Sequence, residues 1–319
     1  MIRKQFETVK RLACKASILI EGLPGKGKSG LALLIALALA SKPDRVYAVD
    51  TENKSLNLFD GIKSSAGTVF KDFKGTTLDS DDGFKPTNYL YLREQALQQG
   101  CEVFIKDSIS HAWQYEGGIL TMVSKLAEAS SRKGDKYAPW RDPEVVKEKN
   151  ALLDLMRSSK CHVISTVRLK EKFAPEVVDG KTVIKSLGEQ QIMQDDIKYE
   201  PDLVLTMISP GRVRNNVVTH PVVKIYKSRY AIFAENEVYE MTPELIDQLK
   251  QYLAEGVDPE ELLAKQQADY VQAIVTYLDA NPAQKAVWQV LKQDNGLKDT
   301  PLKDIPLSQL KQMYSTLII

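Results

Sequence analysis

The sequence has no excess of one charge and few cysteines, and both shortages narrow its functional class. Its 319 residues carry 43 basic and 42 acidic side chains, a formal net charge of +1. The overall charge therefore gives no electrostatic attraction to nucleic acid or to an anionic membrane, so any such binding must come from a local basic patch. Cys14, Cys101 and Cys161 lie far apart, without the close spacing of a zinc site or a redox motif. Cys101 and Cys161 each begin an apolar strand-like run, so we expect buried thiols in a reducing compartment.

Long apolar runs are also missing. The longest apolar stretch is a helix-like segment at 30–40, which is too short to span a membrane. Residues 1–6 lack the apolar region of a signal peptide, and we find no internal repeat. We therefore expect a cytoplasmic protein with no membrane partner. The length leaves room for one large domain with a sizeable core and for a smaller second domain.

What the sequence does contain is a phosphate-binding loop. Residues 22–29, GLPGKGKS, match G-x-x-x-x-G-K-[ST] at each fixed position. A strand-like segment at 16–21 precedes the loop, and the apolar helix at 30–40 follows it and ends before Pro43. Glycines let backbone N–H groups turn toward a phosphate, and the helix N-terminus adds partial positive charge. The alternative, a chance glycine turn, is disfavoured by the complete pattern. The predicted nucleotide-binding residues are Gly22, Leu23, Pro24, Gly25, Lys26, Gly27, Lys28, Ser29 and Gly30.

The loop and a downstream carboxylate predict ATP and Mg²⁺ as cofactors. In such loops the lysine, here Lys28, reaches the β- and γ-phosphates, and the hydroxyl of Ser29 ligates Mg²⁺. Asp107 ends a strand-like segment at 102–107, where a carboxylate can hold the same ion through water. The structural alternative is that Asp107 caps the following turn. We predict Ser29 and Asp107 as the metal-binding residues.

Strand-like and helix-like segments alternate along most of the chain. This alternation predicts an α/β fold with a mainly parallel sheet and helices on both faces. From Thr242 the pattern is helical alone, so we predict a core domain at 1–240 and a small helical C-terminal module at 241–319. The predicted strands are 16–21, 45–50, 102–107, 161–166, 203–207 and 222–226; the predicted helices are 30–40, 88–99, 111–129, 143–159, 245–254, 258–279, 282–294 and 306–317; residues 168–200 are predicted as a long polar loop.

Hydrolysis also needs groups that orient a water molecule. Glu52 follows the second predicted strand at the carboxyl edge of the sheet, where ligands bind in such folds. It could accept a proton or polarise water, or it is a surface glutamate in a loop. Thr166, at the end of the fourth predicted strand, can hydrogen-bond the γ-phosphate or the water, with help from Arg168. The alternative for Thr166 is a β-branched residue that simply ends a strand. We predict catalytic roles for Lys28, Glu52, Asp107 and Thr166.

A basic pair, Lys227 and Arg229, directly follows the strand predicted at 222–226. Because one residue separates them on a strand end, both side chains point the same way. Such a pair can act on the γ-phosphate bound to a neighbouring subunit, where positive charge stabilises the transition state. We predict this catalytic role for both residues. The alternative is a solvated pair at a sheet edge, where lysine deters aggregation.

Two segments have the composition of nucleic-acid contacts. The loop 130–141 combines basic residues, which suit phosphates, with aromatic residues on which bases stack. The alternative is that its aromatic side chains pack against the domain. The segment 169–198 holds several lysines among acids; it is less basic than a dedicated DNA arm, but it could order on a polymer. The predicted nucleic-acid residues are Arg132, Lys133, Lys136, Tyr137, Trp140, Arg141, Lys170, Lys172, Lys181 and Lys185.

Over about residues 12–232 the order of motifs resembles the RecA-like ATPase core. The late basic pair is similar to the trans-acting finger of RadA and of DnaB-type helicases. The nearest resemblance is to phage-encoded, RecA-like ATPases of the Sak type, which act in recombination and single-strand annealing. The features that carry it are the early P-loop, Asp50-Thr51-Glu52, Asp107-Ser108, Thr166, an aromatic-basic loop leading to Trp140, a long glycine-containing loop before residues 199–205, and Lys227-Ser228-Arg229.

The resemblance implies a Mg²⁺-dependent ATPase that assembles with itself, as a filament or a ring, on single-stranded DNA. It implies that Lys28 and Ser29 bind nucleotide and Mg²⁺, that Asp107 supports the metal and that Glu52 activates water. It also implies that the basic pair acts across a subunit interface and that the segments 130–141 and 169–198 replace the DNA-binding loops. A phage-encoded protein would work in the cytoplasm of the bacterial host.

Two departures from the RecA pattern keep alternatives open. The segment 169–198 is less basic and less glycine-rich than in recombinases, and the helical C-terminal module is not part of the core pattern. One alternative is a ring-forming replicative helicase or a helicase-loader motor. Another is a P-loop switch or scaffold, whose C-terminal helices recruit a single-strand-binding protein or a nuclease.

Overall fold

A computed structural model describes residues 9–65, 67–129, 135, 137–158, 160–178, 181–214 and 217–318. These residues form two compact units. The larger unit comprises Lys15–Leu253, and the smaller joins residues 9–14 to residues 254–318.

The larger unit is organised around a nine-stranded sheet within the described residues. Its strands are β1 (Ser17–Gly22), β2 (Val46–Asp50), β3 (Lys74–Thr77), β4 (Val103–Asp107), β5 (His162–Val178), β6 (Lys181–Gln191) and β7 (Leu203–Ser209), then, after the separate pair β8 (Arg212–Arg214) and β9 (Val217–Thr219), β10 (Val222–Ser228) and β11 (Val238–Glu240). The main path runs β11-β10-β7-β1-β5-β4-β2-β3, and in the described part of the chain β6 pairs only with β5. From β7 to β3 the pairs are parallel, whereas β10 is antiparallel to both its neighbours.

Helices cover both faces of this sheet. They are α1 (Lys28–Leu39), α2 (Pro86–Gln98), α3 (Ser110–Gln114), α4 (Ile119–Ala129), α5 (Pro143–Leu155) and α6 (Pro243–Ala254). Successive side chains of a strand point to opposite faces, so β1 gives Ile18 and Ile20 to one core and Leu19 to the other. The first core holds α1 and α6, and the second holds buried residues of α2, α3, α4 and α5. The predicted α/β class with a mainly parallel sheet is confirmed.

The prediction of a long loop at 168–200 was wrong. In β5, residues 162–168 pair with neighbouring sheet strands, and residues 169–178 continue as one arm of an antiparallel hairpin with β6. The sequence carries the signal for this hairpin, because an Asp-Gly pair at 179–180 lies between β-branched residues.

Smaller corrections concern helix and strand boundaries. The helix predicted over 111–129 is two helices, α3 and α4, separated by a turn with Gly117 at φ +74°. At Gly118 a Cβ would come within 2.7 Å of the carbonyl oxygen of His111, so the chain passes too closely there for a larger residue. The strands β3, β8, β9 and β11 were not predicted.

The smaller unit is helical and has a core of its own. Its helices are α7 (Pro259–Ala280), α8 (Gln284–Asp294) and α9 (Leu307–Leu317), close to the predicted segments. Ile274, Trp288 and Leu310 are among the residues buried between them. The domain boundary at 240/241 stays a prediction; α6, just beyond it, buries Ile246 and Leu249 in the sheet core. No helix in the described ranges is long and apolar enough to cross a membrane.

Candidate functional site

The P-loop joins β1 to α1 at the carboxyl edge of the sheet. Gly25 and Gly27 have φ angles of +73° and +86°, which favour glycine at both positions. Gly27 is also closely packed, because a Cβ there would lie 2.8 Å from the Cβ atom of Pro210. Backbone conformation thus favours glycine at Gly25, and both conformation and lack of space favour glycine at Gly27.

Lys28 lies inside the curve of this loop. Its Nζ donates hydrogen bonds to the carbonyl oxygens of Gly22 and Leu23, at 3.1 and 3.2 Å. Burial lowers the pKa of Lys28, while the charges of Glu52 and Asp107 act in the opposite direction. A partly desolvated ammonium group among carboxylates is well placed to bind a multiply charged phosphate.

Asp107, the last residue of β4, is almost completely buried. Its Oδ1 accepts a hydrogen bond from the hydroxyl of Thr166 on β5. Its Oδ2 is buried and has no hydrogen-bond partner among the described residues. Burial raises the pKa of Asp107, and the hydroxyls of Ser29 and Thr166 oppose that shift. A buried carboxylate oxygen with a free lone pair near the Ser29 hydroxyl fits the oxygen ligands that Mg²⁺ prefers.

Glu52 lies in the turn after β2, on the same edge of the sheet. The carboxylate of Asp50 fixes this turn, because it accepts hydrogen bonds from the backbone N–H groups of Glu52 and Leu56, at 2.6 and 2.7 Å. Arg168 Nε donates to Glu52 Oε1 at 2.8 Å. Burial acts to raise the pKa of Glu52, but Arg168 and the nearby Lys28 outweigh it, so the pKa is lowered. Glu52 therefore remains a carboxylate at neutral pH, as a base must.

Three polar residues outside the predicted site support this edge. Besides Asp50, the hydroxyl of Thr51 accepts a hydrogen bond from the N–H of Ser108 at 2.9 Å and lies 2.5 Å from Nδ1 of His111. Burial lowers the pKa of His111 to about 4, with a smaller contribution from Arg168. His111 is thus neutral at pH 7. Of the three, only Asp50 could have been chosen from the local sequence, because an aspartate at the start of a turn often accepts hydrogen bonds from the backbone of that turn.

The Lys227/Arg229 pair lies at the opposite edge of the sheet. Strand β10 is antiparallel to β7, and its last residues pair with the beginning of β7. The Nζ of Lys227 donates to the carbonyl oxygens of Lys198, Tyr199 and Pro201, at 3.1, 2.6 and 2.7 Å. Arg229 forms an ion pair with Asp202. The pair therefore does not reach the P-loop of its own chain.

The predicted nucleic-acid residues divide into two groups. Arg132, Lys133 and Lys136 lie outside the described residues. In the rest of loop 130–141, the Tyr137 side chain is exposed, Arg141 pairs with Asp135, and the partly buried Trp140 has its ring centroid 6.1 Å from that of Trp113. The four remaining predicted lysines lie on the hairpin: Lys170 and Lys172, both exposed, on β5, and Lys181 and Lys185 on β6.

The hairpin leaves the sheet at the P-loop edge. The last residue of β1, Gly22, pairs with Arg168 of β5, and β5 continues from there into the hairpin. Parallel strands end at a common edge, so the start of the hairpin, the P-loop, Glu52 and Asp107 share this edge. The structure brings the predicted nucleotide and catalytic residues together, apart from the Lys227/Arg229 pair.

Comparison with known proteins identifies the family. Residues 14–240 match a family described as an AAA domain, and this stretch includes all the elements of the site. No curated protein matched the chain. Because the match spans more than half of the 319 residues, the chain belongs to the AAA domain family and contains a nucleotide-binding ATPase domain.

Proposed function

We propose that this protein is a RecA-like ATPase of the phage Sak type that acts on single-stranded DNA in annealing or strand exchange. We further propose that it assembles head-to-tail, with nucleotide between subunits. The supporting observation is that the P-loop and the Lys227/Arg229 pair lie at opposite edges of one sheet. An interface between two different edges is heterologous, and repetition of such contacts builds rings or filaments.

In this proposal each subunit supplies most of a hydrolytic site. The P-loop and Lys28 bind the phosphates of ATP. Ser29 and Asp107 hold Mg²⁺, which neutralises charge on the phosphates. Glu52, held by Arg168 and by the turn at Asp50, orients the attacking water and accepts its proton. Thr166 keeps the carboxylate of Asp107 in place.

The hairpin and loop 130–141 supply the DNA contact in this proposal. On β5, Lys170 and Lys172 are two residues apart, so both side chains leave the same face of the strand, and both are exposed. Two ammonium groups in a row suit successive phosphates, and the exposed ring of Tyr137 could stack on a base. Because the start of the hairpin and the P-loop share an edge, bound DNA would lie close to the nucleotide.

The test is ATP hydrolysis by the full chain with single-stranded DNA, with duplex DNA and without DNA, at low salt. We expect single-stranded DNA to raise turnover, and Lys28→Ala to lower it by about 100-fold or more, as loss of a charge-stabilising donor does. Turnover indifferent to single-stranded DNA, together with no binding in gel shifts at low salt, would refute the proposal. Negative-stain imaging shows whether the protein forms filaments or rings. A six-fold ring, together with unwinding of tailed duplexes, would favour the helicase-type motor over the proposed recombination function.

A second candidate is a P-loop switch that recruits a single-strand-binding protein or a nuclease through its C-terminal helices. The observation in its favour is that α7, α8 and α9 bury a core of their own. Truncation should leave α6 in place, because α6 packs in the core of the sheet unit. If truncation after Ala254 abolishes capture of such a partner and leaves ATP hydrolysis intact, this candidate is favoured.

A further inference from the structure

A buried ion pair lies beside the first residue of the P-loop. Glu21, on β1, is 2% exposed. The Nζ of Lys198 lies 2.8 Å from its Oε1 and 2.7 Å from its Oε2, and the hydroxyl of Thr206 donates to Oε1 at 2.7 Å. The same Nζ lies 3.8 Å from the centroid of the Tyr226 ring. Because Glu21 is buried, removal of Lys198 would leave its charge uncompensated. The ion pair therefore holds β1 to the segment that contains Lys198.

Lys198 belongs to the segment in which the chain returns from the hairpin to the sheet. This segment is a 3-10 helix, Asp195–Tyr199, that begins shortly after the end of β6. Its Ile197 is fully buried in the sheet core. Lys227 holds its C-terminal carbonyl oxygens, and the N–H of Asp202 donates to the carbonyl of Ser17 at the start of β1. The return segment is therefore fastened along β1.

Glu21 connects this segment to the phosphate site. It precedes Gly22, whose carbonyl oxygen accepts a hydrogen bond from Lys28 Nζ at 3.1 Å. A phosphate that draws Lys28 toward itself competes with the carbonyl oxygen of Gly22 for the ammonium group, so nucleotide binding changes a contact of the backbone next to Glu21. A shift of this backbone would move Glu21, and through its carboxylate Lys198.

We propose that Glu21 and Lys198 are positioning residues that couple nucleotide binding at the P-loop to the hairpin. Coupling of this kind works in both directions, so a ligand that moves the hairpin would also change nucleotide affinity. The inference rests on the proposed function only in regarding the hairpin as the polymer-binding element. The connection between the return segment and the P-loop depends only on the contacts of Lys198 with Glu21 and of Lys28 with Gly22.

The test measures amide hydrogen exchange in residues 169–202 of the full chain, with and without Mg²⁺ and a saturating non-hydrolysable ATP analogue. We expect nucleotide to change exchange there by about fivefold or more, the lower end of common coupling strengths. In the variant Glu21→Gln/Lys198→Met, which removes both charges and leaves none unpaired, nucleotide should still bind, but the change in exchange should disappear. Lys198→Arg should retain it.

Lys224→Met is the matched control, since it removes an exposed lysine from β10 on the same sheet. If the double variant does not fold, Thr206→Val replaces it, because this isosteric change removes only the hydroxyl bond to Glu21 and should weaken the response. The inference is overturned if the wild-type chain shows no response at 169–202, or if the variants respond as fully as Lys224→Met. This experiment contains no DNA. If DNA neither binds the chain nor stimulates its ATP hydrolysis, the proposed function is refuted, but a nucleotide-dependent change in hydrogen exchange would still support the coupling.

Discussion

The two left-handed glycines of the P-loop give a quantitative prediction, because only one of them lacks room for a side chain. Gly25 and Gly27 have similar positive φ angles. An added Cβ would meet nothing within 4 Å at Gly25, but at Gly27 it would lie 2.8 Å from Pro210 Cβ and 3.2 Å from Pro210 Cα. Gly25→Ala is therefore a matched control that carries the backbone strain of Gly27→Ala without its clash.

The expected free energies follow from these two differences. A left-handed alanine costs about 1–2 kcal/mol, and the stiffer unfolded chain offsets about 0.4–1 kcal/mol of that cost. Gly25→Ala should therefore lower the free energy of unfolding by about 1 kcal/mol. Gly27→Ala adds an overpacking cost of about 1–3 kcal/mol, because the ring and backbone of Pro210 cannot rotate away. We expect a total loss of about 2–4 kcal/mol at Gly27.

The assay is the urea dependence of hydrogen exchange in peptides that cover β1 and α1, which reports on the sheet unit separately from the helical unit. Nucleotide affinity, measured on the same samples, should fall more for Gly27→Ala than for Gly25→Ala. Equal losses at the two positions would refute the reasoning, since the contact with Pro210 would then carry no cost.

Three further predictions concern the carboxylates. Glu52→Gln should lower kcat by about 10²–10⁴-fold and leave ATP binding nearly unchanged, since a general base acts in the chemical step. Arg168→Gln removes the cation that lowers the pKa of Glu52, so the acid limb of the kcat–pH profile should move to higher pH. Burial raises the pKa of Asp107, so above that pKa its ionised form opposes folding; Asp107→Asn should raise the melting temperature of the nucleotide-free chain at pH 8 and weaken Mg²⁺-dependent nucleotide binding. An acid limb that does not move in Arg168→Gln, or a lower melting temperature in Asp107→Asn, would contradict these assignments.

The nucleotide side of the site was predictable because its signals are local. A phosphate loop needs glycines, a lysine and a hydroxyl at fixed spacing, so residues 22–29 could be recognised without the fold. Glu52 and Asp107 could be chosen because parallel strands end at a common edge. The pairing of Arg168 with Glu52 and the contact of His111 with Thr51 could not be predicted, because both arise only from the order of the strands in the sheet.

Prediction failed where local chemistry and tertiary context disagreed. The hairpin was taken for a loop because its composition is polar, although β-branched residues flank the Asp-Gly pair at 179–180. Lys198 is the last residue of segment 169–198, which was predicted as a DNA-binding segment, but its charge is paired with Glu21 of β1. A solvated lysine and a paired one look alike in sequence, because the partner is far away in the chain.

The central claim is that each hydrolytic site is shared between subunits, and mixing two inactive variants tests it most directly. Lys28→Ala disables the P-loop, and Arg229→Ala disables the proposed finger. Arg229 is the better choice because Lys227 donates to the carbonyl oxygens of both Lys198 and Tyr199 in the return segment, whereas Arg229 makes one long hydrogen bond there, to Tyr199 at 3.4 Å. In a random head-to-tail mixture, about a quarter of interfaces join an intact P-loop to an intact finger. We predict that the mixture recovers about that share of wild-type ATP hydrolysis. A mixture no more active than its components would contradict the shared site.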